Sequence, residues 1–408
     1  MDLLLHRIGE LATPCGTTAL PRQPLRLVSG AYVLVRDGRI AEVGQGGPAG
    51  FRGPALDCGG RCVTPGLVDP HTHAVFAGDR VQEFLARARG EKYTGGGILT
   101  TVRATRGASE EDLVRLARPR LLRMLAQGVT TLEVKSGYGL TLADELKILR
   151  AVRALSRELP LTIVPTFMGA HAFPPEVPRE AYVRLLVETM IPAVAQQGLA
   201  RFCDVFCDRG FYTVDEARRI LLAAREHGLG LKVHADELAS VGAAELAGEL
   251  SAVSAEHLLH VSEAGIGALA RAGTVAVLLP GTAFVLEEPY PPARRLIEAG
   301  VPVALGTDFN PGSCPLGSLP FALSLAVLKL GMTPEEVLAA ATLNAAAAVG
   351  LAGEIGSVEP GKQADLVVWD VRSYAEIPYW MGQNLAWAVV KGGSVVFRQG
   401  GGDAAWPG

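Results

Sequence analysis

Short apolar runs recur along the middle of this chain, several closing on a polar residue and most followed by an amphipathic stretch. The runs are Pro65 to His71, Gly128 to Val134, Leu161 to Thr166, Phe202 to Cys207, Leu231 to His234, Ala252 to His257, Thr274 to Leu279 and Val303 to Asp308. Helical periodicity fills the intervals, as in Glu110 to Gln127, Asp144 to Leu159, Val214 to His227 and Ala264 to Ala272. Strand and helix alternating eight times predict an α/β fold, a (β/α)8 TIM-like barrel. Near-continuous apolar strands suit it, because a parallel sheet is buried on both faces.

The two ends follow a different pattern. Ala31 to Val35 and Arg39 to Val43 flank Asp37-Gly38, a strong hairpin signal. Ala364 to Trp369 and Val389 to Val396 repeat this style near the C-terminus. Neither end holds enough strands for a sheet of its own. The expectation is a small composite β-sandwich domain built from residues 1–63 and 355–408, beside a hydrolase barrel over 64–354.

Three of the barrel strands end in chemistry. His71-Thr72-His73 closes the first, and residues two apart on a strand share a face, so both imidazoles reach one point. His234 closes the fifth strand and Asp308 the eighth. Barrel enzymes gather their working groups at the C-terminal strand ends, so His71, His73, His234 and Asp308 form a candidate metal site. Imidazoles with a carboxylate suit one divalent ion, zinc first and iron as the alternative. Such an ion activates a bound water, Asp308 is placed to take its proton, and His257 at the sixth strand end to stabilise an oxyanion or shuttle a proton. Glu237, three residues past His234, is a third catalytic candidate, as a water-orienting group or a partner for a substrate ring N–H. A second metal is not expected: the fourth strand ends Phe206-Cys207-Asp208 without a bridging Lys, and Lys135 reads as solvated or salt-bridged.

Composition narrows the class. The 408 residues carry a net charge of -4, which offers no basic field for nucleic acid or an acidic membrane. No apolar run is long enough to span a bilayer. Met1 to Arg7 lacks the form of a signal peptide and reads as a first strand. Six cysteines in so long a chain suggest reduced thiols and a cytoplasmic location. Cys58/Cys62 and Cys203/Cys207 read as buried core thiols rather than a zinc site.

Further segments carry a resemblance. Val75-Phe76-Ala77-Gly78-Asp79-Arg80, Gly95-Gly96-Gly97-Ile98, Val134 to Gly139, Pro165 to His171 and Thr307-Asp308-Phe309-Asn310-Pro311-Gly312-Ser313 accompany the Pro65 to His73 stretch. Together they resemble the amidohydrolase superfamily and, within it, the imidazolonepropionase family of histidine degradation. The resemblance implies a small-molecule substrate, 4-imidazolone-5-propanoate, opened at its cyclic amide C–N bond to N-formimidoyl-L-glutamate, and a homodimeric enzyme. It implies that Arg80, Tyr138, His171, Glu237, Asn310, Gly312 and Ser313 contact substrate or product, and that His257 is the strand-six catalytic histidine. Arg80 would offer a bidentate fork to the propanoate, with Tyr93, Tyr138 and His171 adding hydrogen bonds. Between Phe84 and Gly95 the chain is shorter than the usual family pattern. Two rivals remain: a cyclic amidase or deaminase for a hydantoin, dihydropyrimidine or nucleobase, and a hydrolase-derived scaffold without catalysis.

Overall fold

The computed structural model describes residues 2–48, 50–90 and 97–400. Eight parallel strands form the barrel: β6 (Leu67–Asp69), β7 (Val129–Lys135), β8 (Thr162–Ala170), β9 (Phe202–Cys207), β10 (Gly230–Ala235), β11 (Ser254–His257), β12 (Val275–Leu278) and β13 (Val303–Leu305). They pair in chain order. The ring closes just past the last strand, where Thr72 bridges Phe309 in parallel. There the Asp308 N–H donates to the His71 carbonyl at 3.0 Å and the His73 N–H to the Phe309 carbonyl at 2.9 Å. The seam of the barrel therefore runs through three of the predicted ligands.

Side-chain caps set where the outer helices begin. Ser109 and Thr213 form capping boxes on Glu110–Leu125 and Val214–Glu226, and Thr141 and Ser262 cap Leu142–Glu158 and Glu263–Ala272. Each helix turns its apolar stripe inward, so Leu113, Leu121, Leu149, Val152, Ile220 and Leu269 join one core with the outer faces of the barrel strands. Among the described residues no helix is long and apolar enough to cross a membrane.

Both ends of the chain meet in a second, mixed sheet of eight strands. Its members are β1 (Leu3–Pro14), β2 (Leu25–Arg36), β3 (Arg39–Gln45), β4 (Ala55–Asp57), β5 (Cys62–Pro65), β14 (Leu366–Trp369), β15 (Ala386–Lys391) and β16 (Ser394–Arg398). Arg36 opposes Arg39 across Asp37 and Gly38, both at positive φ, as a two-residue primed turn requires. One face of this sheet buries Leu5, Ile8, Val33, Leu366 and Val390 in a core of its own, while Trp369 on β14 joins the barrel core.

The run that opens the barrel behaves differently from its sequence reading. The apolar stretch from Thr64 is divided between the two sheets, with β5 pairing β1 and β14 and β6 pairing β7. Gly66 makes the transfer: its N–H bonds to Asp365 of the small sheet, and the next N–H, of Leu67, to Gly128 of the barrel. A Cβ at Gly66 would lie 2.2 Å from Thr130 Oγ1, so only glycine passes there.

Candidate active site

Parallel strands place every C-terminal end at one rim, and the polar residues past those ends converge. His71 and His73 follow β6, His234 lies at the end of β10, His257 ends β11 and Asp308 follows β13. The Asp69 carboxylate ties the first and last strands together, accepting from Thr307 Oγ1 at 2.6 Å and from the Thr307 and His71 N–H groups. Burial pushes its pKa up to about 6. His257 and Asp308 both adopt left-handed backbone, at φ 71° and 55°. Non-glycine residues reach that region at a cost, and here the barrel-closing hydrogen bonds hold Asp308 in it.

His71, His73 and His234 each present one ring nitrogen, all within 4.8 Å of one another, and His71, His257 and Asp308 form a second such set. Asp308 Oδ1 lies 3.2 Å from His71 Nε2 and 3.8 Å from His73 Nε2, while its other oxygen accepts from Thr282 Oγ1 at 2.6 Å. The Nε2 atoms of His71 and His234 are buried without a hydrogen-bond partner, which is costly unless a cation takes their lone pairs. The donor set thus fits a divalent metal. Burial disfavours charge on His71, yet Glu256 beside it and the Asp308 contact raise its pKa to about 9. Burial and the neighbouring imidazoles hold His73 well below the ordinary histidine value, and burial with His234 and His71 does the same for His257.

Beneath the imidazoles lies a layer that the sequence reading did not include. Lys135 is fully buried, not solvated: its Nζ meets Asp204 at 2.7 Å and Glu133 and Glu256 at 2.9 Å each. Lys232 bridges Glu133 and Glu256 from the other side at 2.8 and 2.9 Å. Two of these carboxylates reach up to the histidines, Glu256 to His71 Nδ1 at 2.5 Å and Asp204 to His234 Nδ1 at 3.1 Å. Each engages Nδ1, which leaves Nε2 of that ring to face the others. Burial would raise the pKa values of both acids, but Lys135 and Lys232 hold Glu256 well below the carboxylate range, and His234 and Lys135 hold Asp204 at about 2. A signal was present in the sequence: Lys232 stands two residues before His234, and Glu133 two before Lys135, so each pair shares the inward face of a strand.

A pocket opens above the imidazoles. His73, His234, His257 and Asp308 form its floor, and Arg80, Tyr138, His171, Glu237, Asn310 and Ser313 its walls. Phe206, stacked on Phe211 at 4.0 Å, adds an apolar side with Ile98 and Leu238 that was not foreseen. Tyr138 rides a turn shaped by the buried Glu145 carboxylate, which accepts from the N–H groups of Gly137, Gly139 and Leu140. His171 stacks on His73 with centroids 5.0 Å apart, its Nδ1 3.1 Å from the Gly137 carbonyl, and burial beside His234 lowers its pKa to about 3. Glu237 Oε2 stands 3.5 Å from His257 Nε2; burial, with Asp308 and Asp208 nearby, keeps its carboxyl well above the usual range.

Asn310 organises the Pro311 to Cys314 turn, its Oδ1 accepting from the N–H groups of Gly312, Ser313 and Cys314. Gly312 stays outside the cavity lining but touches Arg80, since a Cβ there would lie 1.9 Å from Arg80 Nη1. Tyr93, Gly95 and Gly96 lie outside the described residues. All six cysteines are unpaired, five of them buried, and among the described residues none joins a potential metal group.

Comparison with known proteins agrees with this geometry. The model of the amidohydrolase family matches residues 62–396. The chain is 53% identical to an imidazolonepropionase of Symbiobacterium thermophilum and 48% identical to one of Geobacillus kaustophilus, each alignment covering 98% of both proteins. Among solved structures, Escherichia coli guanine deaminase superposes with a TM-score of 0.74 at 15% identity, covering 98% of this chain and 99% of that one. A triazine hydrolase from Arthobacter aurescens gives 0.75 at 19%, covering 97% and 95%. These two likenesses are of fold. On the family match and the full-length relatives, the chain belongs to the amidohydrolase family and, within it, to the imidazolonepropionases.

Proposed function

We propose that this barrel mouth hydrolyses the cyclic amide C–N bond of 4-imidazolone-5-propanoate to N-formimidoyl-L-glutamate, a step of histidine degradation. The observation that carries the reading is the convergence of His71, His73, His234 and Asp308 at one rim, under a cavity that also holds the buried guanidinium of Arg80. These four residues would hold one divalent ion, zinc first and iron as the alternative, which supplies a water of lowered pKa and polarises the carbonyl.

The chain's own groups do the rest. Asp308, fixed through Thr282, takes the proton of the attacking water as its oxygen bonds to the ring carbonyl carbon. His257 donates toward the oxyanion that develops there, and the ring C–N bond breaks as the nitrogen receives the proton from Asp308. Glu237, whose buried setting beside Asp308 and Asp208 favours the neutral carboxyl, hydrogen-bonds the ring and positions His257. Arg80 takes the propanoate with Tyr138 and His171 beside it, and the Asn310, Gly312 and Ser313 turn closes that end of the cavity. Tyr93 belongs to the same substrate set.

The reading extends to a cytoplasmic homodimer acting on a small molecule, with neither nucleic acid nor membrane as partner. Unpaired cysteines and a net charge of -4 support it. Elemental analysis of the purified protein, combined with an assay on 4-imidazolone-5-propanoate, tests the whole. Turnover with a bound divalent metal is expected. Turnover of hydantoin or cytosine without activity on the imidazolone would overturn it.

A further inference from the structure

The Arg80 guanidinium already carries a carboxylate. Its Nε and Nη2 donate to the two oxygens of Glu83 at 2.9 and 2.6 Å, a bidentate fork of the kind a propanoate would use. The two partners differ in setting. The Arg80 side chain is 2% exposed, whereas that of Glu83 is 32% exposed. A cation so buried needs a counter-charge at all times, while a carboxylate at the surface regains water when it leaves. Glu83 sits on the helix Val81–Ala88, which buries none of its residues, so little packing resists a shift of its side chain. The other end of the guanidinium packs against Gly312, where a Cβ would lie 1.9 Å from Nη1. Gly97 leaves the space that the pair occupies, since a Cβ there would lie within 2.3 Å of both Glu83 and Arg80.

We infer that Glu83 is a placeholder carboxylate, holding the Arg80 fork until the substrate's propanoate displaces it into water. The inference rests on the proposed substrate reading. Exchanging one carboxylate for another keeps the buried guanidinium paired throughout, and ligands without an acid arm give Glu83 no reason to leave. Glu83 would then tune both affinity and selectivity: it competes for Arg80 only with ligands that carry a carboxylate, and leaves the binding of others untouched.

The test measures binding of imidazole-4-propanoate, which lacks the scissile carbonyl, and of 4-ethylimidazole, which lacks the acid, to the metal-loaded enzyme by calorimetric titration. Glu83→Gln is expected to tighten imidazole-4-propanoate about fivefold and to leave 4-ethylimidazole unchanged, because the exchange no longer breaks an ion pair of partly exposed strength. Equal or weaker binding of imidazole-4-propanoate by Glu83→Gln would overturn the placeholder, since a residue that merely orients Arg80 loses affinity when neutralised. Arg80→Met separates the two levels. If it erases the preference for the acid-bearing ligand, the substrate reading stands and the Glu83 result decides alone. If the preference survives in Arg80→Met, another group holds the acid arm, so the placeholder fails while the substrate reading stands.

Discussion

At the scale of single residues, the imidazole of His234 shows how much rests on placement. It stands 4.6 Å from His71 and 5.6 Å from His73, ring centre to ring centre, with Asp204 behind it. Removing it takes one donor from a proposed four, so His234→Ala should lose metal and activity together. Metal affinity should fall by more than about 100-fold, the upper range for loss of a mere supporting partner. Metal content after dialysis checks this; a variant that kept its ion would show that another nitrogen, such as that of His257, completes the set. The ligands could be picked out in the sequence because three imidazoles and a carboxylate fall at the ends of apolar strands, where a barrel gathers its working groups. Lys135 could not be read so: a lysine at a strand end is usually solvated, and nothing local shows that Asp204 and Glu256 arrive from two other strands.

Elements decide which of these side chains meet. The charged layer of Glu133, Lys135, Asp204, Lys232 and Glu256 draws on β7, β9, β10 and β11, and the one pair within a strand, Glu133 with Lys135 on β7, is completed by partners from the other three. Lys135→Met leaves Glu133 and Glu256 to share Lys232, and Asp204 with His234 in place of an ammonium group. It should destabilise the fold by about 3–5 kcal/mol, measurable by urea unfolding; a change under 1 kcal/mol would mean that the layer relaxes or takes up water. The helix Val214–Glu226 offers a pH test away from the site. Glu216 completes the Thr213 capping box and pairs with Arg179, and the Arg179 hydrogen bonds, against some burial, lower its pKa to about 2. A folded pKa below the unfolded one stabilises above about pH 4.3 and loses that contribution as pH falls toward 2. Glu216→Gln should therefore cost about 1 kcal/mol at pH 7 and converge with the parent protein near pH 2. A deficit unchanged across that range would assign the loss to packing. Ser109, Thr141 and Thr213 each precede an Asp or Glu by three residues, a local signal at helix starts that fall within two residues of the periodic pattern.

For the whole molecule, the site and the barrel seam are one structure. His71, His73 and Asp308 carry the hydrogen bonds that join first strand to last, so an ion held there would also stitch the ring shut. In the layer joined to these ligands three carboxylates, Glu133, Asp204 and Glu256, face the two ammonium groups of Lys135 and Lys232, while Asp308 lies against His71 and His73. Chelation should lower the thermal midpoint and added divalent ion restore it, by up to about 4 kcal/mol when the ion exceeds its dissociation constant a thousandfold. Identical melting with and without chelator would sink the proposed metal site. The sequence by itself determined the alternation of strands and helices, the hairpin at Asp37-Gly38, the inward stripes and the polar strand ends, because each depends on periodicity or on neighbours a few residues apart. Only the tertiary structure decided where the Thr64 to His71 run passes from one sheet to the other at Gly66, which charges share the barrel interior, and that Glu83 holds Arg80 at the cavity wall. The first two depend on contacts between residues far apart in the chain, fixed by strand register and barrel closure. The third is only three residues long, but an i,i+3 pair on a helix is ordinarily a solvated surface contact, and its meaning here comes from the burial that the rest of the molecule imposes on Arg80.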